Sequence, residues 1–82
     1  MKNLQEEGIA RYLKACRHDI AHLNGASEED VATWVADHLP QALVIYNEAS
    51  RAGIAESGDV IDAAEQAFVA VKRWAQGEFF RG

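Results

Sequence analysis

The chain has 82 residues, 49% hydrophobic and 26% charged, with one proline, one cysteine and a net charge of −5. That length allows one domain, near the lower limit at which a single core holds a chain folded, and the apolar content is too high for disorder. Residues 1–82 are therefore expected to form a single helical domain.

A lone cysteine, Cys16, excludes a disulfide framework and suits a reducing compartment. The longest strongly apolar run, Ala42 to Tyr46, is far below the ~20 residues that span a bilayer, and the first sixteen residues hold no apolar leader core. A cytoplasmic protein with no membrane segment is the expectation. With neither a disulfide nor a metal to staple it, a chain this short gains buried area by self-association, so a homodimer is an expected state.

The first helix is predicted over residues 3–23. Its apolar residues Ile9, Leu13, Cys16, Ile20 and Leu23 are spaced 4-3-4-3, a heptad seam, with Tyr12 beside it. Asn24-Gly25 stops it, because both residues tolerate the left-handed conformation that closes a helix. Ser27 then serves as N-cap, with Glu28, Glu29 and Asp30 in the first turn at the positive end of the helix dipole.

A second helix over 28–39 puts Val31, Trp34, Val35, His38 and Leu39 on one side. Pro40 ends or kinks it. Proline suits the first turn of a new helix, so residues 40–52 read as a third helix or a bent continuation, presenting Ala42, Ile45, Tyr46, Ala49 and Ala52. Gly53 to Asp59 reads as a loop. Asp59 caps a last helix to Gln76, where Val60, Ala64, Ala67, Val71 and Trp74 repeat the 4-3-4-3 seam and Ile61, Phe68 and Ala75 widen it. The expected fold is all-α: a compact four-helix bundle-like domain, or three helices if Pro40 only kinks one.

Charge is unevenly placed. Residues 28–65 hold Glu28, Glu29, Asp30, Asp37, Glu48, Glu56, Asp59, Asp62 and Glu65 against Arg51 alone, a net −8. The flanking segments are mildly basic. An acidic field repels phosphate backbones and attracts basic protein surfaces, which argues against direct nucleic-acid binding. Phe79 and Phe80 either fold back onto the helices or present an aromatic anchor of the kind that dominates interface energies.

Arg17 to Gly25 holds the most suggestive chemistry. His-Asp-x-x-His-x-x-Gly, from His18 to Gly25, resembles the His-Glu-x-x-His helix of metal-dependent proteases, in which histidines four apart share one face and grip a zinc ion. On a helix, however, His18 and His22 point away from the seam, no third ligand follows on the same helix, and the chain is too short for a substrate cleft, so no metal site is expected. Arg17-His18-Asp19 also resembles the phosphate-accepting box of sensor kinases, where a carboxylate orients an exposed histidine. That resemblance covers five residues and implies His18 as phosphoacceptor with Asp19 as its orienting group.

No phosphate-cradling glycine loop, nucleophile elbow or paired inward carboxylates are present, so a non-enzymatic protein without cofactors is expected. The expected function is that of a small acidic protein-interaction module. It would be an inhibitor or regulator docking on a basic partner surface through Glu28, Glu29, Asp30, Asp37, Glu56, Asp59, Asp62, Phe79 and Phe80. By analogy of size and charge alone, such chains include phage- and plasmid-encoded inhibitors of nucleic-acid-handling complexes. The alternatives are a histidine phosphotransfer module using His18, and a structural helical homo-oligomer.

Overall fold

The computed structural model describes residues 4–80. It contains α1 (Leu4–Ala15), two short 3-10 turns (Cys16–His18 and Ala21–Leu23), α2 (Glu28–Ser57) and α3 (Val60–Glu78). The fold is all-α, with no strand among the described residues. Among those residues there are three α-helices, the expected alternative in which Pro40 does not end the second, and the other differences from expectation have local causes.

The first helix stops eight residues early. Of the five residues after Ala15, all but Arg17 are middling or poor helix formers (Cys16, His18, Asp19 and Ile20), so little is lost when the chain leaves the α conformation. Ile20 is extended (φ −92°, ψ 113°) and forms an isolated antiparallel bridge with Phe80. The Asp19 N–H closes the first turn on the Cys16 carbonyl at 2.8 Å, and the Leu23 N–H closes the second on the Ile20 carbonyl at 2.9 Å. The seam nevertheless survives the change of backbone: Ile9, Leu13, Cys16, Ile20 and Leu23 are all buried. Gly25, at φ 85°, supplies the left-handed residue before α2.

α2 runs unbroken for 30 residues with Pro40 inside it, so the second and third expected helices are one. Proline removes the hydrogen bond to the carbonyl four residues back, here that of Ala36. Pro40 and Ala36 are both exposed, so water can satisfy the freed oxygen. The helix also absorbs the expected loop from Gly53 as far as Ser57, and ends on Gly58, whose φ of 71° and N–H bond to the Ile54 carbonyl at 2.8 Å make a left-handed cap. Ser27 caps the other end as expected, its Oγ accepting from the Asp30 N–H at 3.2 Å.

α3 packs along α2 through an alanine row. Ala63, Ala67, Val71 and Ala75 are buried at a spacing of four: Ala67, Val71 and Ala75 lie on the expected stripe, whereas Ala63 replaces the half-buried Ala64 and Val60 is exposed. This small-residue row brings the helices close: a Cβ added to Gly53 would stand 2.9 Å from the Ala63 Cβ and 3.1 Å from its Cα. α1 lies across only the first half of this hairpin, and its Ile9 and Leu13, with Ile20, are among the largest fully buried side chains. Each fully buried aliphatic of this size contributes about 1.5–3 kcal/mol.

Two glycine substitutions separate these effects. Gly53→Ala should destabilise, because forcing the hairpin apart costs about 1–3 kcal/mol and outweighs the ~0.5–1 kcal/mol of helix propensity gained. Gly8→Ala, in α1 with open space around its would-be Cβ, should keep that gain. Denaturant unfolding of both variants checks the opposite signs.

Candidate functional site

The turn between α2 and α3 is fixed by its own hydrogen bonds. The Ser57 hydroxyl donates to the Gly53 carbonyl at 2.9 Å, and its oxygen accepts from the Asp59 N–H at 3.2 Å. Asp59 Oδ1 accepts from the N–H groups of Ile61 at 3.0 Å and Asp62 at 3.2 Å, so the cap expected at this residue is present. The result is a well-capped tip, not a slack loop.

Around that tip stand the large apolar residues that the core leaves out. Ile54 is 41% exposed, Val60 65% and Ile61 74%. Val60 and Ile61 were expected on the buried stripe of the last helix. They are outside because the neighbour that would cover them, α1, does not extend to this half of the hairpin. Glu56, Asp59 and Asp62 flank them, all exposed, and no lysine or arginine occurs from residue 52 to 71. A shallow groove of about 710 Å³ runs beside the tip, bounded by Gly53, Glu56, Ser57, Asp62 and Gln66.

The other acidic residues are not part of this surface. Glu28, Glu29 and Asp30 lie at the opposite end of α2, about 40 Å away at 1.5 Å per residue, and Asp37 lies between. Glu28 is already engaged: Arg17 Nη1 donates to its Oε1 and Lys14 Nζ stands 3.4 Å from its Oε2. Those bonds, Arg17's first and then Lys14's, hold its carboxyl below the usual glutamate range. Asp37 borders a shallow cavity with His38, Gln41, Trp74, Glu78 and Phe79.

Phe79 folds back. Its ring meets Trp34 and Trp74 edge-on at 5.2 Å each and His38 at 4.9 Å. His38 stacks on Trp34 with centroids 4.3 Å apart, and its Nδ1–H donates to the Trp34 carbonyl at 2.8 Å, which fixes the tautomer. Phe80 is the residue bridged to Ile20. Both phenylalanines are half-buried.

His18 and Asp19 are exposed, but on a 3-10 turn and not on α1. The extended Ile20 between His18 and His22 destroys the one-face geometry that four-residue spacing gives on a helix. His22 instead lies near Trp34, ring centroids 6.5 Å apart. Among the described residues no group of three or more His, Cys, Asp or Glu is placed to hold a metal ion. His18 shares a shallow cavity with Arg11, Lys14, Arg17 and Glu28. Cys16 is buried, and burial raises its thiol pKa, which suits a packing residue more than a nucleophile. No helix among the described residues is long and apolar enough to cross a membrane.

Comparison of the chain with protein-family models, with curated proteins and with solved structures finds no match.

The Glu28 ion pairs set a pH dependence. A carboxyl held low in the folded chain adds stability above its unfolded value, near 4.5, and loses it as pH falls through the lower folded value. Glu28→Gln should therefore lower the melting temperature slightly at pH 7, and the difference from the parent chain should vanish in acid. Thermal melts of both chains across pH test this.

Proposed function

We propose that this chain is a non-enzymatic protein-interaction module, an inhibitor or regulator that docks on a basic partner surface through the α2–α3 tip. The observation that carries the reading is the exposed pair Val60 and Ile61, set among Glu56, Asp59 and Asp62 on a turn held by its own caps. An apolar centre with a charged rim is the usual layout of a binding patch: the apolar residues supply affinity, and the acidic rim steers and selects a basic partner. Preorganisation adds to this, since little entropy is lost on ordering a turn that is already fixed.

Affinity capture from the host, with the captured protein then titrated in purified form, tests the tip directly. Ile61→Asp and the Glu56→Lys/Asp62→Lys pair should each weaken binding about tenfold or more, near 1.4 kcal/mol, and added salt should slow association. Reversing Glu29 and Asp30 at the far end of α2 should have little effect. If the ranking is inverted, the docking surface is the other acidic cluster.

A second reading has one observation in its favour. His18 lies beside Arg11, Lys14 and Arg17, cations suited to a phosphoryl group, although Glu28 already occupies two of them. Incubation with acetyl phosphate should leave the chain's mass unchanged if the docking reading holds. An added phosphoryl group that His18→Ala abolishes would favour phosphotransfer.

A further inference from the structure

The aromatic group at the C-terminal end of α3 borders a shallow cavity of about 470 Å³ between that end and the middle of α2. Trp74, Phe79 and His38 supply its rings, and Asp37, Gln41 and Glu78 its polar edge. The rings are already fixed against one another, Phe79 meeting Trp74 at 89° and His38 at 85°, so a ligand finds walls that need no ordering.

The hydrogen-bonding character of this lining is one-sided. Asp37 and Glu78 are exposed carboxylates on separate helices, and neither is paired with another described residue. An ionised carboxylate only accepts. His38 gives its Nδ1–H to the Trp34 carbonyl, which leaves Nε2 as a further acceptor. No lysine or arginine among the described residues lines the cavity. Rings and acceptors together are complementary to a cation that has a flat apolar face and several N–H groups to donate.

The molecule itself shows what a crossed ring pair does when a cation is within reach. Tyr12 and Phe68 meet at 5.7 Å and 68°, and Lys72 Nζ lies 5.9 and 5.1 Å from their centroids. Trp74 and Phe79 have the same crossed arrangement at 5.2 Å with no such cation among the described residues, although indole is the best of the aromatic faces for this contact. A guanidinium suits the site better than an ammonium, because it stacks flat on a ring while its fork of N–H groups reaches towards two carboxylates. The cavity is too open to enclose a small molecule as a ligand pocket does, but it can take a side chain presented on a larger surface.

We propose that this cavity binds an arginine side chain of a partner protein, its guanidinium stacked on Trp74 and Phe79 and its N–H groups donating to Asp37 and Glu78. The site is separate from the α2–α3 tip, since α3 holds Val60 and Glu78 about 27 Å apart. Either assignment can fail without the other.

NMR titration of the whole chain with a blocked arginine, N-acetyl-arginine methylamide, tests it through the indole N–H signals. The Trp74 signal should move saturably, with a dissociation constant on the order of 1 mM. The blocked citrulline, neutral and of the same shape, should leave it in place, and blocked lysine should bind about threefold more weakly or worse. Asp37→Asn and Glu78→Gln should each weaken binding about threefold or more, with the helices unchanged by circular dichroism because both positions are exposed. The Glu56→Gln/Asp62→Asn pair at the tip should bind like the parent. Free arginine should bind no tighter than the blocked residue. Arg81 lies outside the described residues, and Arg81→Ala should leave the affinity unchanged. The assignment is overturned by the absence of a saturable shift, by an equal response to citrulline or lysine, or by a loss in the tip variant as large as that in the Asp37 and Glu78 variants. Tighter binding of free arginine would make the ligand a small molecule, and tighter binding by the Arg81→Ala chain would make the occupant the chain's own arginine; either also overturns it.

Discussion

The close approach of α2 and α3, with Gly53 against Ala63, governs the rest of the molecule. An alanine row lets two helices run side by side with little space between them, but alanine side chains bury little apolar area when they do. The hairpin therefore gains its framework from small residues and cannot gain its stability there. That comes from the segment laid across it, where Ile9, Leu13 and Ile20 are completely buried against the aromatic and aliphatic residues of both long helices. Where this segment stops, the hairpin is left with its own large apolar residues facing water. The exposed tip is thus a direct result of the same small-residue seam.

Charge follows the same division. At the covered end, Lys14 and Arg17 are spent on Glu28, which ties the N-terminus of α2 to the segment before it. At the uncovered end the carboxylates have no basic neighbour in sequence, and Asp59 is occupied only in capping backbone N–H groups. An exposed ion pair contributes little to stability. Its larger effect here is to sort the acidic residues into a neutralised end and a free one.

Much of this was legible in the residues. Every seam position from Ile9 to Leu23 is buried, and both expected caps, Ser27 and Asp59, are in place. Periodicity reports which side of a segment meets the core, and it holds even where a helix gives way to 3-10 turns and one extended residue. What it does not report is whether a neighbour exists to cover an apolar side. Val60 and Ile61 fit the pattern of a buried stripe, yet α1 packs on the first half of α2 and leaves them exposed. Gly53, read as the start of a loop, stays in the helix for a related reason, and of the two readings of Pro40 the continuous helix holds. Their local preference against helix is outweighed where the freed carbonyl meets solvent or where the glycine admits a neighbouring helix. The acidic block, continuous in sequence, is distributed along the full length of α2, so one run of charge becomes two surfaces.

The bridge between Ile20 and Phe80 has a consequence for how the chain acquires its structure. Synthesis proceeds from the N-terminus, so α1 and its two 3-10 turns are made before α2 and α3, but the Ile20–Phe80 bridge cannot form until residues 79 and 80 exist. In that interval the apolar row from Ile9 to Leu23 is open to any apolar surface it meets.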